Sequence, residues 1–175
     1  FEHTHTAKQL IEIQSEADYC VYCHTKETDF CRSGFPVKKK EPESGFRYNP
    51  LNERLTGCPI DESISEMNWL VNQGNPFAAF IMIMKDNPLC ALTGDRICND
   101  CMKSCIYQKH DPVDIPAVES AVVKEVLSMP WGVEWYDLLM RWHPLRADQY
   151  LPKAPTGKRV LVMGMGPAGL TLSHH

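Results

Sequence analysis

The stretch Asn87-Pro-Leu-Cys90-Ala-Leu-Thr-Gly-Asp-Arg-Ile-Cys98-Asn-Asp-Cys101-Met-Lys-Ser-Cys105, continued to Glu119, decides how this chain is read. Cys98, Cys101 and Cys105 follow a Cys-x2-Cys-x3-Cys spacing, which puts three soft donors on one short segment. Soft thiolates select zinc, copper(I) or iron–sulfur clusters over hard cations. One such segment cannot complete a site, so further donors must arrive from elsewhere. Upstream the chain offers Cys20-x2-Cys23, then Cys31, then Cys58 followed directly by Pro59.

Two groupings of these thiols are open. The Cys-x2-Cys pairs Cys20/Cys23 and Cys98/Cys101 together make a tetrahedral zinc set, and with it a structural zinc module that binds a partner protein. That grouping leaves Cys31, Cys58 and Cys105 unused, each near a pair. Triads completed by a distant fourth donor suit cubane clusters better, and a Cys-Pro step is a feature of bacterial-type cluster runs. Cys90 sits in Pro-Leu-Cys-Ala-Leu, an apolar setting for a buried thiol. Without it, seven cysteines serve eight positions of two clusters, so one ligand is a non-cysteine residue or one iron is open.

The 175 residues, 43% hydrophobic, are enough for one sizeable core. A net charge of −4 gives no global basic character for nucleic acid, and Lys38-Lys39-Lys40 reads as a solvated loop. The longest apolar run, Phe77 to Met84, is far shorter than the roughly 20 residues of a membrane span. Eight cysteines without a secretion signal argue for metal binding in the cytoplasm rather than a disulfide framework. The chain begins at Phe1 and stops where a helix should run on, so it reads as a fragment of a longer protein.

The pattern along the chain is helical. Thr6 to Asp18 carries Leu10, Ile11, Ile13 and Ala17 as a short amphipathic helix. Residues 32–57, rich in proline, glycine and lysine, read as a loop insertion. Ser63-x-x-Glu66 has the form of a capping box ahead of Ile64, Met67, Leu70 and Val71. Asn75 and Pro76 start the next helix, whose Phe77, Phe80, Ile81 and Met84 face a core. Pro116 opens another, with Val118, Val122, Val126 and Met129 on one face. Trp131 to Trp142 forms a last helix, in which Trp135, Leu138, Leu139 and Trp142 pack into the core in preference to shielding a cofactor. Residues 144–158 are a proline-rich linker between a domain over 1–143 and a new beginning at 159–175.

That beginning has its own logic. Val160-Leu161-Val162 reads as a strand entering Gly164-Met-Gly166-Pro167-Ala168-Gly169. In a dinucleotide turn the first glycine allows the bend, the second admits a pyrophosphate, and the third permits close strand–helix packing. Only one strand and a helix start are present, so no stable FAD site is expected in this stretch alone.

In their order, several pieces resemble a known family. They are Cys20-x2-Cys23, Cys58-Pro-Ile, Asn87-Pro-Leu, Thr93-Gly-Asp-Arg-Ile-Cys98, Cys105, Ile115-Pro-Ala-Val-Glu119, Thr156-Gly-Lys-Arg-Val and the glycine turn. From about Cys20 to the end they resemble the amino-terminal region of the glutamate synthase small-subunit family, which dihydropyrimidine dehydrogenase shares. The resemblance implies an all-α, α-helical ferredoxin-like domain with two [4Fe-4S] clusters, followed by the start of a Rossmann-type FAD domain. It implies that Cys20, Cys23, Cys31 and Cys105 hold one cluster, and Cys58, Cys98, Cys101 and Glu119 the other. Glu119 stands where the family has a non-thiolate ligand. The Cys23–Cys31 interval and the insertion before Cys58 are both longer than in the family, and His24 stands beside Cys23 as a substitute donor or a neighbour of the site. The implied role is electron transfer between an FAD in the remaining domain of the same chain, NAD(P)H as hydride partner, and an acceptor subunit or carrier. The terminal Ser173-His174-His175 reads equally as native helix or appended residues.

Overall fold

A computed structural model of the chain describes residues 10–38, 41–94, 98–146 and 154–174. The start of the first expected helix and the Asp95-Arg96-Ile97 step lie outside them. Among the described residues the architecture is mostly helical, built on four helices that share one core. These are α1 (Leu10–Tyr19), α3 (Ile64–Asn72), α4 (Pro76–Asp86) and α7 (Ile115–Ser128). Helix α4 is the axis: α3 and α7 pack on it, and α1 packs on both α3 and α7. Ile13, Met67, Phe80, Ile83, Val118, Val122 and Val126 meet there without solvent exposure. Each side chain of this kind contributes roughly 1.5–3 kcal/mol by burial.

Two helix starts follow their sequence signals. Asn75 Oδ1 accepts from the Ala78 N–H at 3.1 Å with Pro76 at the first helical position, and Asp114 Oδ1 accepts from the Ala117 N–H at 3.3 Å. Ser63-x-x-Glu66 does not form a capping box. The Ser63 N–H and hydroxyl turn instead to Asp86 Oδ2 at the end of α4, at 3.1 and 3.0 Å. Ser63 thus ties two helices together rather than capping its own.

Residues 32–57 are more than a loop, and the fold is not purely helical. The short α2 (Phe30–Ser33) leads into β1 (Pro36–Lys38), which pairs antiparallel with β2 (Glu41–Phe46). The Phe35 N–H then donates to Leu55 O at 2.9 Å, and the Leu55 N–H to Arg47 O at 3.0 Å. Phe30 and Phe35 stack at 4.1 Å. Proline, glycine and lysine hide the period-2 pattern here, while backbone pairing supplies the order.

The last described helices also depart from expectation. In α8 (Gly132–Arg141) the buried stripe runs through Gly132, Tyr136 and Leu139 and on to His143. Trp135, Leu138 and Trp142 lie off that stripe and are exposed, so they neither fill the core nor cover a buried group; Trp135 only meets Phe77 edge-on at 5.3 Å. At Val160–Val162 no strand forms, and Val160 and Leu161 are 82% and 85% exposed. A strand needs a hydrogen-bonded neighbour, and none stands beside this segment among the described residues. The glycine turn does form. Gly164 has φ +115°, a Cβ on Gly169 would meet the Gly164 carbonyl oxygen at 2.2 Å, and α9 (Pro167–His174) follows. Between α4 and α7 lie two more short helices, α5 (Cys90–Thr93) and α6 (Asp100–Lys103), which carry cysteines.

Candidate metal centre

All eight cysteines are free of disulfide bonds, and seven of them gather in two places. Cys20 follows α1, Cys23 opens a single 3-10 turn, Cys31 sits within α2, and Cys105 follows α6. These four, from four separate segments, line one narrow cleft. Asp29 fixes the Cys31 end by accepting from the Arg32 N–H at 3.2 Å. Tyr19 stacks on Tyr107 at 4.4 Å beside the cleft. Its free space is about 10 Å³, the room of one water.

Two of the thiols there interact. The Cys31 S–H donates to Cys105 sulfur, and that bond holds Cys105 well below the ordinary thiol range, at about 6. The same bond, with burial, pushes Cys31 far up. Backbone N–H groups of Tyr107, Val113 and Ile106 also point at Cys105 sulfur, and that of Tyr22 at Cys20. Amide donors on sulfur are the surroundings that stabilise thiolates and tune cluster potentials. His24 lies outside the cleft lining, its Nδ1 2.7 Å from Ser65 Oγ.

The second group lines a larger cavity of about 380 Å³. Cys58 arrives on the loop before α3, Cys98 just before α6, Cys101 within α6, and Glu119 from the first turns of α7. Burial raises Cys58 to about 11 and pushes Cys101 higher still. Glu119 is 7% exposed, and burial lifts its carboxyl to about 7. Beside it stands Glu62, 3% exposed, hydrogen-bonded to Glu119 and raised well above the usual carboxylate range, by burial first and then by the charge of Glu119. Two buried acids can share a bond only if one keeps its proton. Pro167 and Thr171 of α9 reach the rim of the same cavity, whereas Gly164, Gly166, Ala168 and Gly169 do not line it. Cys90 is buried outside both linings, where desolvation pushes its thiol up.

A backbone crossing joins the two groups. The Cys58 N–H donates to the carbonyls of Cys31 (2.8 Å) and Arg32 (3.0 Å). The chains can come this close because Gly34 and Gly57, both at positive φ, face each other. A Cβ on Gly57 would stand 2.4 Å from the Gly34 nitrogen. The Gly57 N–H donates to the buried Ser104 hydroxyl at 2.9 Å, one residue before Cys105.

The donor chemistry fits iron–sulfur clusters. Four thiols face one cleft; three thiols and a carboxyl face the other, beside a buried Glu62 Oε1 that has no hydrogen-bond partner. The narrow cleft admits a cubane only when its thiols rotate outward. Among the described residues, no three Cys, His, Asp or Glu side chains stand close enough to hold a single metal ion. Glu62 is the residue that sequence spacing did not single out: an acid four positions after Cys58 looks like any loop carboxylate.

Comparison with known proteins agrees with this chemistry. Residues 51–131 match the family described as dihydropyrimidine dehydrogenase domain II, 4Fe-4S cluster. An uncharacterized protein of Rickettsia prowazekii is 56% identical over 85 residues, which is 49% of this chain and 12% of that protein. The glutamate synthase [NADPH] small chain of Bacillus subtilis is 32% identical over 150 residues, 85% of this chain and 24% of that one. That of Mycobacterium tuberculosis is 29% identical over 116 residues, 65% of this chain and 20% of that one. The chain thus spans a quarter or less of the length of these relatives. No solved structure matches it. Residues 51–131 thus match a dihydropyrimidine dehydrogenase-type 4Fe-4S domain, and homology to the glutamate synthase small chain runs over most of the chain.

Proposed function

We propose that the chain carries electrons through two [4Fe-4S] clusters, as the iron–sulfur part of an FAD-dependent, NAD(P)H-linked oxidoreductase in the cytoplasm. The observation that carries this reading is the division of the cysteines: Cys20, Cys23, Cys31 and Cys105 in one cleft, and Cys58, Cys98, Cys101 with Glu119 in another. Cubanes supply one-electron carriers, and the chain's own residues supply ligation, burial and hydrogen bonds. Thiolates of the first group bind at four corners. In the second, Glu119 stands in for a fourth thiolate. Amide N–H groups aimed at Cys20, Cys58, Cys101 and Cys105 stabilise negative charge on sulfur. The core helices exclude water from behind both groups. The flavin, its NAD(P)H site and the electron acceptor belong to the remaining domain or to a partner. Gly164, Gly166, Pro167, Ala168 and Gly169 fit the phosphate turn of that flavin domain.

Anaerobic purification followed by iron, sulfide and zinc analysis tests this. About eight irons and eight sulfides per chain are expected, the content of two cubanes, with little zinc. Cys105→Ser and Cys101→Ser should each remove one cluster and leave the other's reduced EPR signal in place. A colourless protein rich in zinc would overturn the reading in favour of a structural zinc module.

A further inference from the structure

The insertion between Cys31 and Cys58 builds a third cavity, whose lining shares no residue with either cysteine group. Its volume is about 460 Å³, within the roughly 300–1,000 Å³ of small-ligand sites. The frame is backbone. The Arg47 N–H donates to Phe35 O at 2.8 Å, the Phe35 N–H to Leu55 O at 2.9 Å, and the Leu55 N–H to Arg47 O at 3.0 Å. Tyr48 is fixed beside them: it bridges to Arg54, and its hydroxyl accepts from Arg54 Nε at 3.0 Å. Phe35, Tyr48, Pro50 and Leu55 thus give the cavity a preformed apolar wall. The rest of the lining is polar and cationic: Arg47 from the insertion, with Gln108 and Lys109 from the turn after Cys105. Among the described residues no acid lines the cavity, and no carboxylate pairs with Arg47 or Lys109. Glu53, close by in sequence, is already held by Asn49 Nδ2 at 2.9 Å and by Lys103 Nζ at 3.4 Å. In a chain of net charge −4, two cations without acid partners on one lining reverse the sign of charge locally and favour an anion.

We propose that this cavity binds a flat ring carrying a phosphate, the chemistry of a nucleoside monophosphate, with the ring against Tyr48 and the phosphate between Arg47 and Lys109. The arginine fork matches phosphate oxygens in pairs, and the lysine adds a point charge. Stacking on an aromatic side chain accepts any base, because every base has a π face. The site therefore selects for ring and phosphate together rather than for one base. It stands whether or not the cysteines hold clusters.

The test uses the full chain, purified anaerobically and titrated by calorimetry with adenosine monophosphate, uridine monophosphate, adenosine and inorganic phosphate. Both nucleotides should bind about tenfold or more tightly than adenosine or phosphate alone, since only they use both parts of the lining. Added salt should weaken them. Arg47→Ala and Lys109→Ala should each weaken nucleotide binding about tenfold and leave adenosine binding unchanged. Tyr48→Ala should weaken nucleotide and adenosine alike and leave phosphate binding unchanged. All three positions are exposed, so urea midpoints near that of the wild type will report that each variant has folded. Nucleotides that bind no more tightly than inorganic phosphate overturn the proposal. So does nucleotide affinity that survives Tyr48→Ala, or that survives both Arg47→Ala and Lys109→Ala. A wild-type chain that binds neither nucleotide at millimolar concentration overturns it outright.

Discussion

The two cysteine groups use the same donor in opposite surroundings. Around Cys20, Cys23, Cys31 and Cys105 the wall is sulfur, apolar side chain and backbone amide, and the thiols close on one another. Around Cys58, Cys98 and Cys101 stand two buried acids and a far larger opening. The first group disperses charge by sharing one proton between two sulfurs. The second hides a carboxylate by pairing it with a second acid. A carboxylate is a harder ligand than a thiolate, so two clusters held this way should differ in potential. Their separation is chemical more than spatial, because Cys58 is hydrogen-bonded to the carbonyl of Cys31.

Gly57→Ala attacks that crossing and should have the largest effect on stability. Its φ of +76° is unfavourable for alanine, and the new Cβ would meet backbone of Gly34 and Arg32 at 2.4–2.5 Å. Strain and backbone displacement together should cost on the order of 3 kcal/mol. Urea denaturation should show that loss, and iron content should fall at both groups together. Loss confined to one group would mean that the crossing does not couple them.

Much of this arrangement was legible in the sequence, because metal chemistry writes itself in residue type and spacing. Cys20, Cys23, Cys31 and Cys105 were grouped by resemblance before any geometry, and they do converge. Asn75-Pro76 announced its helix through local chemistry that needs no tertiary partner. What failed depended on neighbours. Val160-Leu161-Val162 has strand composition, but composition supplies no adjacent strand. Ser63 has a cap's chemistry, yet Asp86 outcompeted the helix for it. In α8 the apolar residues outnumber the positions facing inward, so spacing chose Trp135 and Trp142 over the true stripe. Glu62 carried no signal at all, since only the folded chain brings Glu119 beside it.

Acidity sharpens the comparison further, because the two groups should push metal-free stability in opposite directions. Glu119 titrates near 7 in the folded chain against 4.5 as a free group. Between those values the folded chain holds more protons than the unfolded, so stability falls as pH rises. Cys105 titrates near 6 folded against 9.0 as a free thiol. Between those values the unfolded chain holds more protons, so stability rises with pH. Above about 9 the raised thiols of Cys31, Cys58 and Cys101 reverse the trend, since only the unfolded chain ionises freely there. Glu62, raised further than Glu119, holds its proton across the Glu119 range and beyond it, so it adds to the fall. Urea midpoints of reduced, metal-free protein should therefore fall most steeply between about pH 4.5 and 6, more gently to about 7, and level off above that. Glu119→Gln should make the fall shallower, and Cys105→Ser should carry it on above about pH 7. A wild-type profile that rises between about pH 5 and 6 would contradict the raised carboxyls.

The smallest effect belongs to a second tie between the groups, on the surface. Arg32, next to Cys31, donates through Nε and Nη2 to the Asp61 carboxylate at 2.9 and 2.8 Å, three residues after Cys58. The guanidinium holds Asp61 below the usual carboxylate range, and the fork is bidentate, the stronger geometry for such a pair. Yet the two side chains keep 31% and 68% of their exposure, so water screens the attraction. Arg32→Ala should cost no more than about 1 kcal/mol, read as a shift in urea midpoint that shrinks at high salt. Arg32→Lys should recover only part of it, because an ammonium cannot reproduce the fork. Both clusters should survive either change. Loss of a cluster in Arg32→Ala would move the coupling of the two groups from the buried backbone crossing to this exposed pair.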